Sequence, residues 1–320
     1  MTVKTLKVLS EDLKNIDSAY AAAGGNTAAL HDHEVSSLVI SGSKVLSANQ
    51  TEGVVLEKEE QENGVNIKLT IKKGYKIPNP VHLCFGVVPE DGLQQINMDF
   101  VAEEASSVEL IAHCTFPNAV KVIHKMEAKM HIGKNASLIY NETHFHGSYG
   151  GVQVSPKSFI KVEEGGRYLS NFTLVEGRVG CLDFDYDVAA EKDALCEMIT
   201  KVYGKAEDRI KIKERISLNG ENSRSVIKSR IALTEKASSE FIGITEGHAP
   251  QARGHVDCME VIQDEAKAEA VPIVRVDNPL AKVTHEAAIG CVDKKEVETL
   301  MARGLEEDEA VDVIVKGMLA

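Results

Sequence analysis

Glu221-Asn-Ser-Arg-Ser-Val226, Glu235-Lys-Ala-Ser-Ser-Glu-Phe241 and Asp264-Glu-Ala-Lys-Ala268 share one pattern, in which an acidic or amide residue and a small residue precede an alternating apolar run. The pattern also occurs upstream, at Glu103-Glu-Ala-Ser-Ser-Val108, Lys134-Asn-Ala-Ser-Leu138, Glu163-Glu-Gly-Gly-Arg-Tyr168 and Glu191-Lys-Asp-Ala-Leu195. The small residues at 105, 136, 166, 194 and 223 lie about 29 apart, as do 237 and 266, and about half that interval separates 223 from 237. Two interleaved phases result. A half-period of roughly 14 residues fits one strand plus a turn, and stacking such units coils a chain into a β-solenoid or flattened β-helix. An antiparallel sandwich also repeats strands, but at about 8 to 12 residues, so the longer interval favours the solenoid.

Three segments follow from the patterning. Residues 1–33 read as an N-terminal helical piece, with Ser10-Glu-Asp-Leu13 as its capped start, Ile16 and Tyr20 on one face and Gly24-Gly25 at its end. Residues 34–288 alternate in the manner of strands, as in Val65-Asn-Ile-Lys-Leu-Thr-Ile71. Residues 289–320 turn helical. There Val297, Leu300 and Met301 share a face ahead of Gly304, and Glu306-Glu-Asp-Glu309 opens a second helix with Val311, Ile314, Val315 and Met318 on its apolar side. Such a hairpin either caps the last solenoid turn or presents an acidic rim to a partner.

Composition narrows the function. The 320 residues carry a formal charge of −13, no Trp and 5% aromatic residues, which argues against nucleic acid as a partner. The first residues lack a signal-peptide apolar run and no stretch reaches the length of a membrane span, so the expected location is cytoplasmic. The six cysteines include no CxxC pair, so neither a zinc finger nor a disulfide framework is expected.

Chemistry concentrates near the C-terminal end. Cys258, in Ala252-Arg-Gly-His-Val-Asp-Cys258, precedes Val283-Thr-His285-Glu286 by nearly one long period. Residues one turn apart in a solenoid stack about 4.8 Å from each other, so Cys258 and His285 are expected as vertical neighbours able to share a metal. Glu286 adds a hard oxygen ligand or a supporting hydrogen bond. Alternation sends His285 and Glu286 to opposite faces unless the strand bulges, so one of them supports and the other ligates. Cys114 follows His113, whose imidazolium would activate the thiol if both faced the same way; core packing is the competing account. His31-Asp-His33 and His144-Phe-His146 each pair two rings at strand spacing, but no third ligand of suitable spacing follows either pair. No GxxxxGK[ST] loop, GxSxG or Rossmann fingerprint is present, so no nucleotide is expected to bind this chain.

Ala252-Arg-Gly-His-Val-Asp-Cys258, Ala281-Lys-Val-Thr-His285-Glu286-Ala, Met301-Ala-Arg-Gly-Leu-Glu-Glu-Asp-Glu-Ala310 and Ile314-Val-Lys-Gly317 resemble the SufB/SufD family, scaffold components of SUF-type iron–sulfur cluster assembly. His113-Cys-Thr-Phe-Pro117 is similar to a further segment of that family, with His113 where the family has glycine. The resemblance implies a right-handed parallel β-helix, dimerisation through it, and a C-terminal region, residues 293–320, that docks a SufC-like ABC ATPase. It also implies a transient iron–sulfur cluster held by Cys258 and Glu286 with His285 close by, and Cys114 as acceptor of sulfur from a donor protein. A short SufB-like scaffold working as a homodimer is the expectation. The alternatives are an inert SufD-like partner or, more remotely, a β-helix carbohydrate-active enzyme, which would need aromatic sugar platforms that a chain without Trp supplies poorly.

Overall fold

The computed structural model describes residues 3–319, with side chains from residue 11. Two helices, α1 (Val3–Ala22) and α2 (Thr27–His31), precede nineteen strands that run from β1 (Ser37–Ser41) to β19 (Lys282–Gly290). Helices α3 (Lys294–Met301) and α4 (Glu307–Leu319) follow. After an antiparallel start, the later odd-numbered strands join β1 and β2 (Lys44–Asn49) in a ten-stranded odd sheet and the even-numbered strands join β3 (Val54–Glu60) in a nine-stranded even sheet, each parallel beyond its first pair. This is the β-solenoid anticipated from the repeat interval.

The register gives that interval its physical form. Arg224 of β15 (Arg224–Leu233) pairs with Arg253 of β17 (Arg253–Ile262), and Arg253 with Lys282 of β19, so these two turns advance the chain by equal steps that match the spacing of the small residues. Alternation decides which side chains face the lumen. In β14 (Arg209–Leu218) Ile210, Ile212, Glu214, Ile216 and Leu218 are buried, while the residues between them face outward.

The recurring small residues are corner residues. Ala136, Ala194, Ser223 and Ala237 are all but fully buried, and each closes a tight turn by donating its N–H to the carbonyl three residues back. Asn135, Asp193 and Asn222 just before the corner hold positive φ, as does Gly165 at the equivalent place. That conformation suits Asn, Asp and Gly. The opposite corner places its positive φ one residue earlier, at Ala206, Glu235 and Asp264, which is why the two phases read differently in sequence. At residue 105 the structure differs by one place: Ala105 takes the positive φ and Ser106 is the buried corner residue.

One corner depends on a buried carboxylate. Asp208 accepts from the backbone N–H of Val179, Gly180 and Lys205 at 2.8–3.0 Å and from the Arg178 guanidinium at 2.9 Å. Removing it leaves three donors and a cation without their acceptor. Asp208→Ala is expected to lower unfolding free energy by about 3–5 kcal/mol. A urea titration showing a loss below about 1 kcal/mol would refute the assignment.

Both helical pieces lie on the outer face of the odd sheet. Helix α1 begins well before Ser10, so the expected capping position is inside it; Ile16 and Tyr20 pack on Val39 and Cys84, and the Tyr20 hydroxyl meets His82 Nδ1 at 2.8 Å. At the other end, Asp293 caps α3 by accepting from Lys295 N–H, and Gly304 follows with φ 102°. Val297, Val311 and Val315 bury against Tyr203 and Ala232, whereas Met301 stays 40% exposed. The hairpin therefore covers a side wall, and the last turn remains open: Leu280 is 60% exposed and Ile289 45%.

Candidate functional site at the open last turn

Cys258 faces the lumen from β17, 2% exposed, stacked between Ser229 of β15 and Ala287 of β19. His285 pairs instead with Val256, two places from Cys258, because the interval from Cys258 to His285 falls two short of a full turn. The expected vertical contact is thus a diagonal one. Two residues of strand rise and one inter-strand step put the two Cα atoms about 8 Å apart, with both side chains on the inner face. Glu286 pairs with Asp257, whose carboxylate is held on the outer face by Arg230 at 2.5 Å. His285 and Glu286 accordingly sit on opposite faces of an unbulged strand, and both are exposed.

A residue that motif reading missed completes the inner face. Glu260 lies two places after Cys258 and so shares its side; its Oε1 is 3.9 Å from the thiol, and its Oε2 accepts from Ser239 Oγ. Burial raises the Glu260 carboxyl above its usual range, and burial together with the Glu260 and Glu214 carboxylates raises the Cys258 thiol. At rest Cys258 is a neutral thiol with a proton acceptor beside it.

Cys114 belongs elsewhere. It faces the lumen from β7 (Ser107–Thr115), five inter-strand steps from Cys258 in the odd sheet, or roughly 24 Å. His113 points the other way, its ring edge-on to Tyr20 at 4.5 Å, and burial lowers it to about 4. It gives the thiol no activating charge, and burial with the Glu142 carboxylate raises Cys114 well above the ordinary thiol range. Its neighbours are His124 of β8 (Lys121–Ile132), with Nε2 3.8 Å from Sγ, and His144 of β9 (Ser137–His146), its stacking partner.

The two HxH pairs part company. His31 ends α2 and bonds Asp17, so it is not on a strand, whereas His144 and His146 both turn into the lumen of β9. A third candidate ligand precedes them, Glu142 on the same face. Polar side chains continue from there toward Cys258: Tyr186 of β12 (Cys181–Ala190) donates to Glu142 and stacks on Glu214, which accepts from Thr200, and Thr200, Ser229 and Cys258 are successive partners in the odd sheet. Burial lifts Glu214 to about 7. Cys84 and Cys196 are buried, Cys181 is half-buried and Cys291 is exposed, all as free thiols.

Comparison with known proteins identifies the family. The family model "SUF system FeS cluster assembly, SufBD core domain" matches residues 87–318. An iron–sulfur cluster assembly SufBD family protein of Methanocaldococcus jannaschii is 43% identical over 282 residues, 88% of this chain and 89% of the relative. A second, of Pyrococcus horikoshii, is 30% identical over 319 residues, 100% of this chain and 96% of the relative. A third, of Archaeoglobus fulgidus, is 30% identical over 277 residues, 86% of this chain and 73% of the relative. With three quarters of its strands, both thiols and the C-terminal helices inside the matched region, the chain belongs to the SufBD family of iron–sulfur cluster assembly proteins.

Proposed function

We propose that this chain is the scaffold on which a nascent iron–sulfur cluster is built, at the open last turn, with the site finished by a second copy. The observation that carries the reading is the position of Cys258: a soft sulfur ligand one strand from an open solenoid end, with His285 on the same face and exposed. Thiolate and imidazole suit iron, and one chain offers too few such groups at this place to enclose a cluster. Glu286, on the outer face of β19, supports the edge or ligates from the neighbouring copy. When iron binds, the Cys258 proton has Glu260 as its nearest acceptor.

Sulfur arriving directly as sulfide enters at the open turn, one strand from Cys258 and beside the exposed His285. Acceptance from a donor protein at Cys114 requires the solenoid wall to open, since that thiol is wholly buried. The reading is tested by anaerobic reconstitution of the isolated chain with ferrous iron and sulfide. A brown product with bound iron and sulfide in similar amounts supports it; a colourless one favours an inert SufD-like partner.

Energy comes from outside, from a SufC-like ABC ATPase docked on residues 293–320. The hairpin is fixed to the side wall through Val297, Val311 and Val315, which leaves Glu306, Glu307, Asp308 and Glu309 exposed as a rim. Reversing Glu307, Asp308 and Glu309 to Lys keeps the apolar attachment and is expected to weaken ATPase binding at least tenfold in a pull-down or titration. Binding at full strength would mean that the rim does not dock the partner.

A further inference from the structure

The lumen between β7 and β9 gathers nitrogen, oxygen and sulfur ligand atoms in one place. The arrangement is set by one fixed donor. His146 Nδ1 lies 3.1 Å from the Val179 carbonyl, which can only accept, so Nδ1 carries a proton and the ring is held with Nε2 toward His144. His146 Nε2 sits 3.1 Å from His144 Nδ1, which fixes the His144 ring with Nε2 directed at Glu142 Oε1, 2.8 Å away. The other Glu142 oxygen already accepts from the Tyr186 hydroxyl. A ring nitrogen, a carboxylate oxygen and the Cys114 sulfur thus converge, and these ligand atoms all lie within 4.8 Å of one another.

We propose that Cys114, Glu142 and His144, with His124 as fourth ligand, form a buried site for one divalent transition-metal ion, zinc or ferrous iron, separate from the open turn. Mixed sulfur, nitrogen and oxygen donors suit ions of this borderline character. In a tetrahedral site a sulfur and a nitrogen ligand stand about 3.5 Å apart, close to the 3.8 Å between Cys114 Sγ and His124 Nε2. His124 Nδ1 has no protein partner, so no hydrogen bond opposes a turn of the ring toward the ion. The carbonyl–His146–His144 chain and the Tyr186–Glu142 bond orient the ligands from outside, as outer partners do in metal sites. On binding, the thiol proton and the proton otherwise shared by Glu142 and His144 leave to solvent. All four ligands are at most 1% exposed, so the ion enters as the solenoid closes and ties strands of both sheets across the lumen.

The test uses the full chain carrying Cys258→Ser and Cys291→Ser, so that neither the open turn nor the exposed thiol beside it contributes a thiolate and the outcome is independent of cluster assembly. Produced with Co2+ as the supplied metal, it is expected to retain about one Co2+ per chain after chelation, with intense visible bands of a tetrahedral ion and a near-ultraviolet thiolate-to-cobalt band. Adding Cys114→Ser should remove the near-ultraviolet band, and adding His144→Gln should lower retained Co2+ at least tenfold. Absence of the band in the folded parent, or its persistence after Cys114→Ser, overturns the proposal, and the parent's spectrum decides even if a variant fails to fold. Elemental analysis of the parent from ordinary medium then identifies zinc or iron; neither above about a tenth of an equivalent also overturns it.

Discussion

Replacing Cys258 with serine is expected to reduce the iron and sulfide retained after anaerobic reconstitution at least tenfold, with the folded state preserved. The fold survives because the new hydroxyl occupies nearly the volume of the thiol and can donate to the same Glu260 oxygen. Ligation fails because a serine hydroxyl does not ionise under these conditions and offers hard oxygen where iron in a cluster takes sulfur. The same chemistry gives a pH dependence in the unaltered chain. Burial and nearby carboxylates raise the Cys258 thiol, so the ligating thiolate becomes more available as pH increases, and cluster loading should accelerate from pH 7 to pH 8.5. Iron, sulfide and visible absorption unchanged in Cys258→Ser, with an unshifted melting curve, would remove Cys258 from the site.

The solenoid was legible because its corners and its walls obey different constraints that recur together. A corner needs a residue tolerant of positive φ followed by one small enough to be buried in the bend, and Asn135-Ala136, Asp193-Ala194 and Asn222-Ser223 supply both. A wall needs alternation, which Ile210, Ile212, Ile216 and Leu218 supply. Where the hairpin rests was not legible. Val297, Val311 and Val315 announce an apolar face, but the surface that receives them is made by Tyr203 and Ala232, outward-facing residues of two separate strands that alternation alone assigns to solvent.

The register of the candidate site residues was not legible. Motif order identified Cys258, His285 and Glu286, and alternation separated the faces of the last two. Whether the interval from Cys258 to His285 means the next rung or two places off it depends on the corner lengths. Those lengths vary along the solenoid, since Arg167 pairs with Leu195, Arg253 with Lys282 and Ser137 with Arg167, three unequal advances. Glu260 and Glu142 escaped notice for one reason. An acidic residue in a strand reads as solvent-facing, and only counting in twos from Cys258 and from His144 places each on the buried side.

A paired substitution at the open end, Leu280→Lys with Ile289→Lys, is expected to leave each chain folded, to make it monomeric, and to cut cluster yield several-fold although Cys258, His285 and Glu286 are untouched. Strands β18 (Lys267–Val276) and β19 are the last of their sheets, so each presents a row of backbone donors and acceptors with no neighbour beyond it. Folded proteins usually shield such edges with charge, proline or a covering element. Here the hairpin that follows them lies on the side wall instead, and Val276, Leu280 and Ile289 remain substantially exposed. A second copy related by a twofold axis would extend both sheets, bury these apolar groups and bring a second His285 toward the first site. Because both chains carry the substitutions, lysines would face lysines across that axis, and association should weaken at least 100-fold, about 3 kcal/mol. Sedimentation reads the assembly and absorption reads the cluster, so the two claims separate. A dimer that persists would move the interface elsewhere, and a monomer that keeps its cluster would mean that one chain suffices to hold it.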